Sequence, residues 1–318
     1  MKRFEYEKYG PLIALALLMA VSAASSPYFF RIENLLNILR QVSYSGIIAL
    51  GMTFVIIAGG IDLSVGSMTA LAGGAVILSL NRFTAAAGPE HAVAAIAGAS
   101  LVGLLAGALA GAVNGLLVTA GRVAAFIATL GTMAIFRSLT LQLADAGEFR
   151  SACALFPELG MGRLLGVPNP VWAFAILALL FSVVLHRTRY GRYACAVGSN
   201  ARVATYSAIP VNLVRFFSYV ICGLTVGVSA VFFSSRMNSI SSTNAGVNYE
   251  LDAIAAVIIG GTAMAGGRGT IWGTVVGAII LGIVNNMLNM VGVSPYLQGT
   301  VKGAVIIAAV LIQRKKKS

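Results

Sequence analysis

A chain of 318 residues that is 58% hydrophobic, only 10% charged and has a mean hydropathy of +0.89 cannot hide its apolar surface from water by folding alone, so the bilayer is its solvent. The net charge of +12 does not point to nucleic acid, because the basic residues border apolar runs, where they set topology and meet anionic headgroups. Cys153, Cys195 and Cys222 fall in an outer loop, an inner loop and a span, which excludes a disulfide or metal framework built from them.

Crossing the roughly 30 Å hydrocarbon core takes about 20 mostly apolar residues. On that measure the chain is all-α and polytopic with about ten spans, over 12–25, 42–58, 64–80, 92–119, 123–143, 171–186, 216–233, 252–265, 270–290 and 300–312. The first, eighth and tenth are short, so tilting, breaking or extension into the flanks is expected of them. Lys2, Arg3 and Lys8, an apolar run and Ala-Val-Ser-Ala at 20–23 imitate a secretory signal, but an uncleaved span gives the same orientation without processing, and retention is expected. With both termini cytoplasmic, fourteen of the 22 basic residues lie inside, among them Arg122, Arg187, Arg189, Arg192, Arg202, Arg215, Arg268 and the RKKKS tail. Arg137 and Lys302 fall within spans, near enough to a face for a long side chain to snorkel.

Two segments read as interrupted helices. VIIAGGIDLSVGS, at 55–67, joins the second and third spans, and a near-copy, VIIGGTAMAGGRGT, recurs at 257–270, which hints at an internal repeat running in the same sense. Each is either an inner turn or the lining of a cavity, since irregular backbone at membrane depth needs protein or water to satisfy it. Asp62, with Ser64 beside it, is placed to cap the third span, and is also a candidate for the translocation path.

Gly103, Gly107, Gly111 and Gly115 recur every four residues along the fourth span and predict a smooth ridge for close helix packing; Gly223 with Gly227 and Gly273 with Gly277 repeat the spacing. Neutral polar residues fall within spans at Asn114, Thr129, Asn285, Asn286 and Asn289. Their amides and hydroxyls can bond the hydroxyls of an uncharged solute without the desolvation cost of a charge. For any single one of them, a bond between helices is the simpler expectation. Almost no ionisable residue stands near a span centre, and proton or sodium coupling usually needs such groups. Neither a phosphate-cradling Gly-x-x-x-x-Gly-Lys-Ser/Thr run nor a His-Glu-x-x-His or Gly-x-Ser-x-Gly motif occurs; Gly266-Gly267-Arg268-Gly269-Thr270 lacks the lysine. Energy for pumping is therefore expected from a partner, and the chain itself is not expected to be an enzyme.

The polar, arginine-rich loop 187–215 is the one large piece suited to meeting another protein. Ser199 or Asn200 can cap a short helix that stops before Pro210, with small Ala201 and Ala204 along one side.

GGIDLSVGS at 59–67, GRYACAVGSNARVATYSAIP at 191–210 and the stretch from 250 to 298 resemble the membrane permease subunit of bacterial ABC sugar importers of the ribose type, a likeness that runs nearly end to end. That resemblance implies a single permease domain over 1–318 in the inner membrane, working as a homodimer or beside a related permease. It further implies a periplasmic sugar-binding protein, a cytoplasmic ABC ATPase that binds the ATP so that the chain needs no cofactor, and a monosaccharide such as ribose as cargo. In this family the Gly-x-Asn-x-x-x-Ala pattern marks the helix that docks on the ATPase, and it matches Gly198, Asn200, Ala201, Ala204 and Ile209 here. Ala208 stands where the family commonly has glycine. An ion-coupled secondary sugar transporter is the alternative from another class, and it predicts uptake that collapses with an ionophore.

Overall fold

The computed structural model describes residues 5–294, 297–301, 303, 304 and 307. Twelve α-helices have assigned bounds there: α1 (Glu5–Ser25), α2 (Ile32–Ile57), α3 (Val65–Ala87), α4 (Ala92–Thr119), α5 (Ala125–Leu143), α6 (Pro157–Met161), α7 (Asn169–Arg187), α8 (Arg189–Ser199), α9 (Ala201–Tyr206), α10 (Val211–Met237), α11 (Tyr249–Ile259) and α12 (Ile271–Met290). Two short antiparallel pairs complete the assignment, β1 (Glu148–Arg150) with β4 (Ser239–Ser241) and β2 (Arg163–Leu164) with β3 (Val167–Pro168).

Among the described residues, seven helices, α2, α3, α4 with its leading 3-10 turn, α5, α7, α10 and α12, are long and apolar enough to cross a membrane. The other three predicted spans fare differently. In α1 the apolar stretch is the shorter Gly10–Ala24, and 300–312 lies mostly outside the described residues. The eighth span is corrected: α11 has eleven residues, about 16 Å at 1.5 Å per residue, roughly half the hydrocarbon core. Its apolar run continues past Ile259, but Gly260 and Gly261 (φ +88°) end the helix there.

Proline and glycine set the other boundaries. Pro168 and Pro170 open α7, Gly88 (φ +85°) closes α3 before Pro89, and Thr270 Oγ1 accepts the Gly273 N–H, 3.0 Å, to start α12. Helix α2 is central, with 83% of its most apolar window buried, and α10 and α12 pack against it. Leu101, Leu105 and Leu109 on α4 and Leu179 and Leu180 on α7 are exposed, an arrangement that suits lipid and not water.

The predicted glycine ridge is the contact between α4 and α10. A Cβ on Gly107 would strike the Gly223 carbonyl oxygen and one on Gly223 would strike that of Gly107, so the two backbones touch and neither position accepts a side chain. Arg137 does not snorkel: its two Nη atoms each donate at 2.8 Å, to the carbonyls of Ser242 and Ala245. The guanidinium thereby holds the segment between β4 and α11, whose Gly246 also meets Gly66 backbone to backbone. Segment 239–248 thus folds back among α3, α5 and α10 and delivers the start of α11 into the bundle.

Candidate functional site

The turns after α2 and α11 are built alike. Gly59 N–H reaches Ile56 O (3.0 Å) and Gly60 N–H reaches Val55 O (2.8 Å); Gly261 N–H reaches Ile258 O (2.9 Å) and Thr262 N–H reaches Val257 O (3.1 Å). Gly59 (φ +81°) and Gly261 (φ +88°) each supply the left-handed residue that this helix ending requires. The repeat suspected in the sequence is therefore a repeat of backbone geometry.

Both turns meet the end of α8. The Gly267 N–H donates to Ile57 O at 2.9 Å, and Gly198 lies against both strands of chain, so close that a Cβ would strike the Ile57 carbonyl oxygen. Helix α10 pins the first turn from the other side: Tyr219 Oη donates to Ile61 O (3.1 Å) and Arg215 Nε to Ala58 O (3.4 Å). Tyr190 on α8 shares a hydrogen bond with Ser218 Oγ, 2.8 Å, and burial pushes its phenol up to about 12, so it stays neutral across physiological pH.

Asn200 begins α9 as the sequence predicts, its Oδ1 accepting from the N–H groups of Arg202 (3.0 Å) and Val203 (3.1 Å). The surface that α9 presents differs from expectation. Ala204 is buried in the main apolar core, Ile209 packs against that core, Gly198 faces the two turns and Ala201 is half-exposed. Val203 and Tyr206, 57% and 89% exposed, form the outward face together with Arg202. Of the predicted alanine side, Ala204 therefore points into the bundle while Ala201 stays half-exposed at the edge of the outward face. Ala208 occupies φ +56°, with Ile209 N–H returning to Ala204 O at 3.0 Å. A Cβ is disfavoured there by roughly 1 kcal/mol, so Ala208→Gly is expected to raise stability by about 0.5–1 kcal/mol, read as a small upward shift in the thermal unfolding of the detergent-solubilised protein.

Asp62 is fully buried beside this junction, and its network differs from a helix cap. Its Oδ1 accepts from Ser64 N–H (2.9 Å) and Ser64 Oγ (2.7 Å), and Asn114 Nδ2 donates to Oδ2 at 3.1 Å. Asn114 Oδ1 in turn accepts from Thr132 Oγ1, 2.6 Å. Ser64 itself caps nothing with its side chain. A carboxylate, two hydroxyls and an amide thus tie the turn to α4 and α5. Thr129 directs its hydroxyl to Ala125 O of its own helix (2.8 Å) and takes no part through its side chain. Beneath the turn an inner cavity of about 430 Å³ is lined by Gly59, Gly60, Arg122, Arg215 and Tyr219.

This chain matches, over residues 34–310, the family described as branched-chain amino acid transport system / permease component. It belongs to that permease family. The ribose import permease of Escherichia coli K12 is 47% identical over 310 residues, covering 96% of this chain and 93% of the relative. That of Bacillus subtilis 168 is 42% identical over 314 residues, covering 98% and 94%. The D-allose transport system permease of Escherichia coli K12 is 38% identical over 310 residues, covering 97% and 92%. No solved structure matches the chain.

The permease is a multi-pass inner-membrane protein, the membrane component of an ABC importer of the ribose-permease type and not an enzyme; in such systems ATP is hydrolysed by a separate subunit and a binding protein presents the solute. The ion-coupled alternative finds no support among the relatives. Of the asparagines on the permease's α12, the structure separates three roles. Asn286 and Asn34 exchange amide hydrogen bonds (2.9 and 3.3 Å) and join α12 to α2, while Asn289 accepts from Gln298 at 2.8 Å. Asn285 faces a cavity of about 350 Å³ between α2, α10, α11 and α12, where Gln41, Tyr44, Arg236, Tyr249 and Asp252 join it. Sequence reasoning missed those five: Gln41 lies outside the predicted span, and Arg236 and Tyr249 fall in what read as an outer loop.

Proposed function

We propose that this permease carries ribose, or a closely similar monosaccharide, inward across the bacterial inner membrane. The observation that carries the sugar is the likeness to ribose import permeases at 47% identity over 96% of the chain, against 33% for the L-arabinose transport system permease AraH of Escherichia coli K12. Residues 1–318 form one permease domain, and two copies, or one copy beside a related permease, enclose the pathway. A periplasmic sugar-binding protein delivers the sugar, and a cytoplasmic ABC ATPase grips loop 187–215 through the outward face of α9. The capped helix at Asn200 with exposed Val203 and Tyr206 supports that docking. Gly198, Ala204 and Ile209 then act as the mounting that holds α9 to the bundle, and Asn200, Ala201 and their exposed neighbours approach the ATPase.

Among the path candidates, Asn285 contributes to the pathway from its cavity. Asp62 and Asn114 keep the inner turn in register, with Thr129 as their neighbour on α5, and Asn286 and Asn289 fasten α12. The test is reconstitution. Proteoliposomes with this chain alone are expected neither to hydrolyse ATP nor to accumulate labelled ribose, and adding the cognate ATPase and binding protein confers ATP-dependent, vanadate-sensitive uptake that an ionophore leaves intact. Uptake by the chain alone, or uptake abolished by the ionophore, overturns the proposal.

A further inference from the structure

We infer that the cavity between α2, α10, α11 and α12 is a binding site for the transported monosaccharide within one copy of the permease, and this rests on the sugar-importer reading above. Its volume of about 350 Å³ lies within the ordinary range for small-molecule sites, roughly 300–1,000 Å³. The lining groups are two amides (Gln41, Asn285), two phenols (Tyr44, Tyr249), a carboxylate (Asp252) and a guanidinium (Arg236). Each hydroxyl of a sugar is both donor and acceptor, and this set offers both kinds of partner around one space. Asn285 Oδ1 is buried and has no hydrogen-bond partner among the described residues. An orphaned buried acceptor costs about 1–3 kcal/mol, a cost that a ligand hydroxyl or a water placed in the cavity removes. One wall is aromatic: Phe233 meets the Tyr44 ring at 5.9 Å and the Tyr249 ring at 5.8 Å, edge to face, and the Arg236 guanidinium lies 5.6 Å from the Tyr44 centroid. Such a wall suits the C–H face of a sugar while the amides and charges read its hydroxyls.

The cavity is also connected to the coupling junction. Helix α11 carries Tyr249 and Asp252 at one end and, about 16 Å away at its other end, runs into the turn that leads to Gly267 and Ile57. A displacement at the α8 junction therefore reaches the cavity wall along one rigid half-helix.

The test uses the full importer in right-side-out vesicles, with Asn285→Cys labelled from the outside by a membrane-impermeant methanethiosulfonate. Cys153 and Cys222 are buried, and Cys195 lies in the loop assigned to the inner side. Labelling is expected without sugar, and to slow about tenfold when ribose is supplied at roughly ten times its dissociation constant, as occupancy requires. Mannitol at equal concentration is expected to give no protection, and Glu90→Cys, outside the cavity, to label at one rate throughout. Protection by D-allose or L-arabinose in place of ribose supports the site and reassigns the cargo. Equal labelling with and without every transported sugar, protection by mannitol, or no labelling at all overturns the site. If Asn285→Cys fails to assemble, Ser45→Cys in the same lining takes its place. Absence of ribose uptake by the unmodified importer refutes ribose as cargo and is scored separately from protection.

Discussion

Gly198→Ala is expected to reduce sugar uptake by the assembled importer at least about tenfold and to lower the stability of the permease itself. The added methyl has nowhere to go: it would strike the Ile57 carbonyl oxygen and crowd the Gly267 N–H, both backbone atoms in the hydrogen bond that joins the two turns. Forcing a methyl into filled space costs about 1–3 kcal/mol, and each 1.4 kcal/mol is a factor of ten in an equilibrium. Tyr206→Ala provides the comparison. Tyr206 is 89% exposed, so its loss is expected to leave the thermal unfolding midpoint in detergent unchanged while weakening co-purification with the ATPase. A Gly198→Ala protein that melts and transports like the unmodified one removes the junction from the coupling route.

Asp62→Ala is expected to be the most damaging substitution in the bundle, lowering stability by roughly 2–5 kcal/mol. Removing the carboxylate leaves the Ser64 N–H and one Asn114 contact without acceptors in a fully buried site, at about 1–3 kcal/mol for each orphaned group. Thr132→Val, which removes a single donor to Asn114, is expected to cost less, about 1 kcal/mol. The measurement is thermal unfolding of each purified variant in detergent, paired with its uptake rate. An Asp62→Ala protein as stable as its parent, yet inactive, would place the carboxylate directly in the path of the solute and not in a structural lock.

Much of the fold is legible because the bilayer permits few solutions. The sequence predicts a span over 92–119 and α4 covers Ala92–Thr119, since a long apolar run with no proline satisfies its backbone in the bilayer as helix. At α2 the prediction began at 42, ten residues late: Asn34, Arg40 and Gln41 read as loop, but their polar groups lie on the outer turns of a continuing helix, where Asn34 bonds Asn286. The break after α11 is legible in the glycines of 257–270, but hydropathy does not register the positive φ of Gly261, so the predicted span runs on to 265. The site was legible in types and not in directions. Asn285, Asn286 and Asn289 share one stretch of helix, yet Asn286 bonds a residue 252 positions away, Asn289 one nine positions away, and Asn285 Oδ1 has no partner among the described residues. Which of them faces a cavity is decided by the neighbours of α12, which a single sequence does not specify. The outward face of α9 escaped for the same reason.

Because Gly198 offers no side chain, it meets Ile57 and Gly267 through peptide groups, and those contacts cannot yield by a change of rotamer. A push on α8 must therefore shift the endings of α2 and α11 together as one stiff body. Either turn moving without the other would break the Gly267 to Ile57 bond, so the two sides of a single subunit are geared to keep the same time.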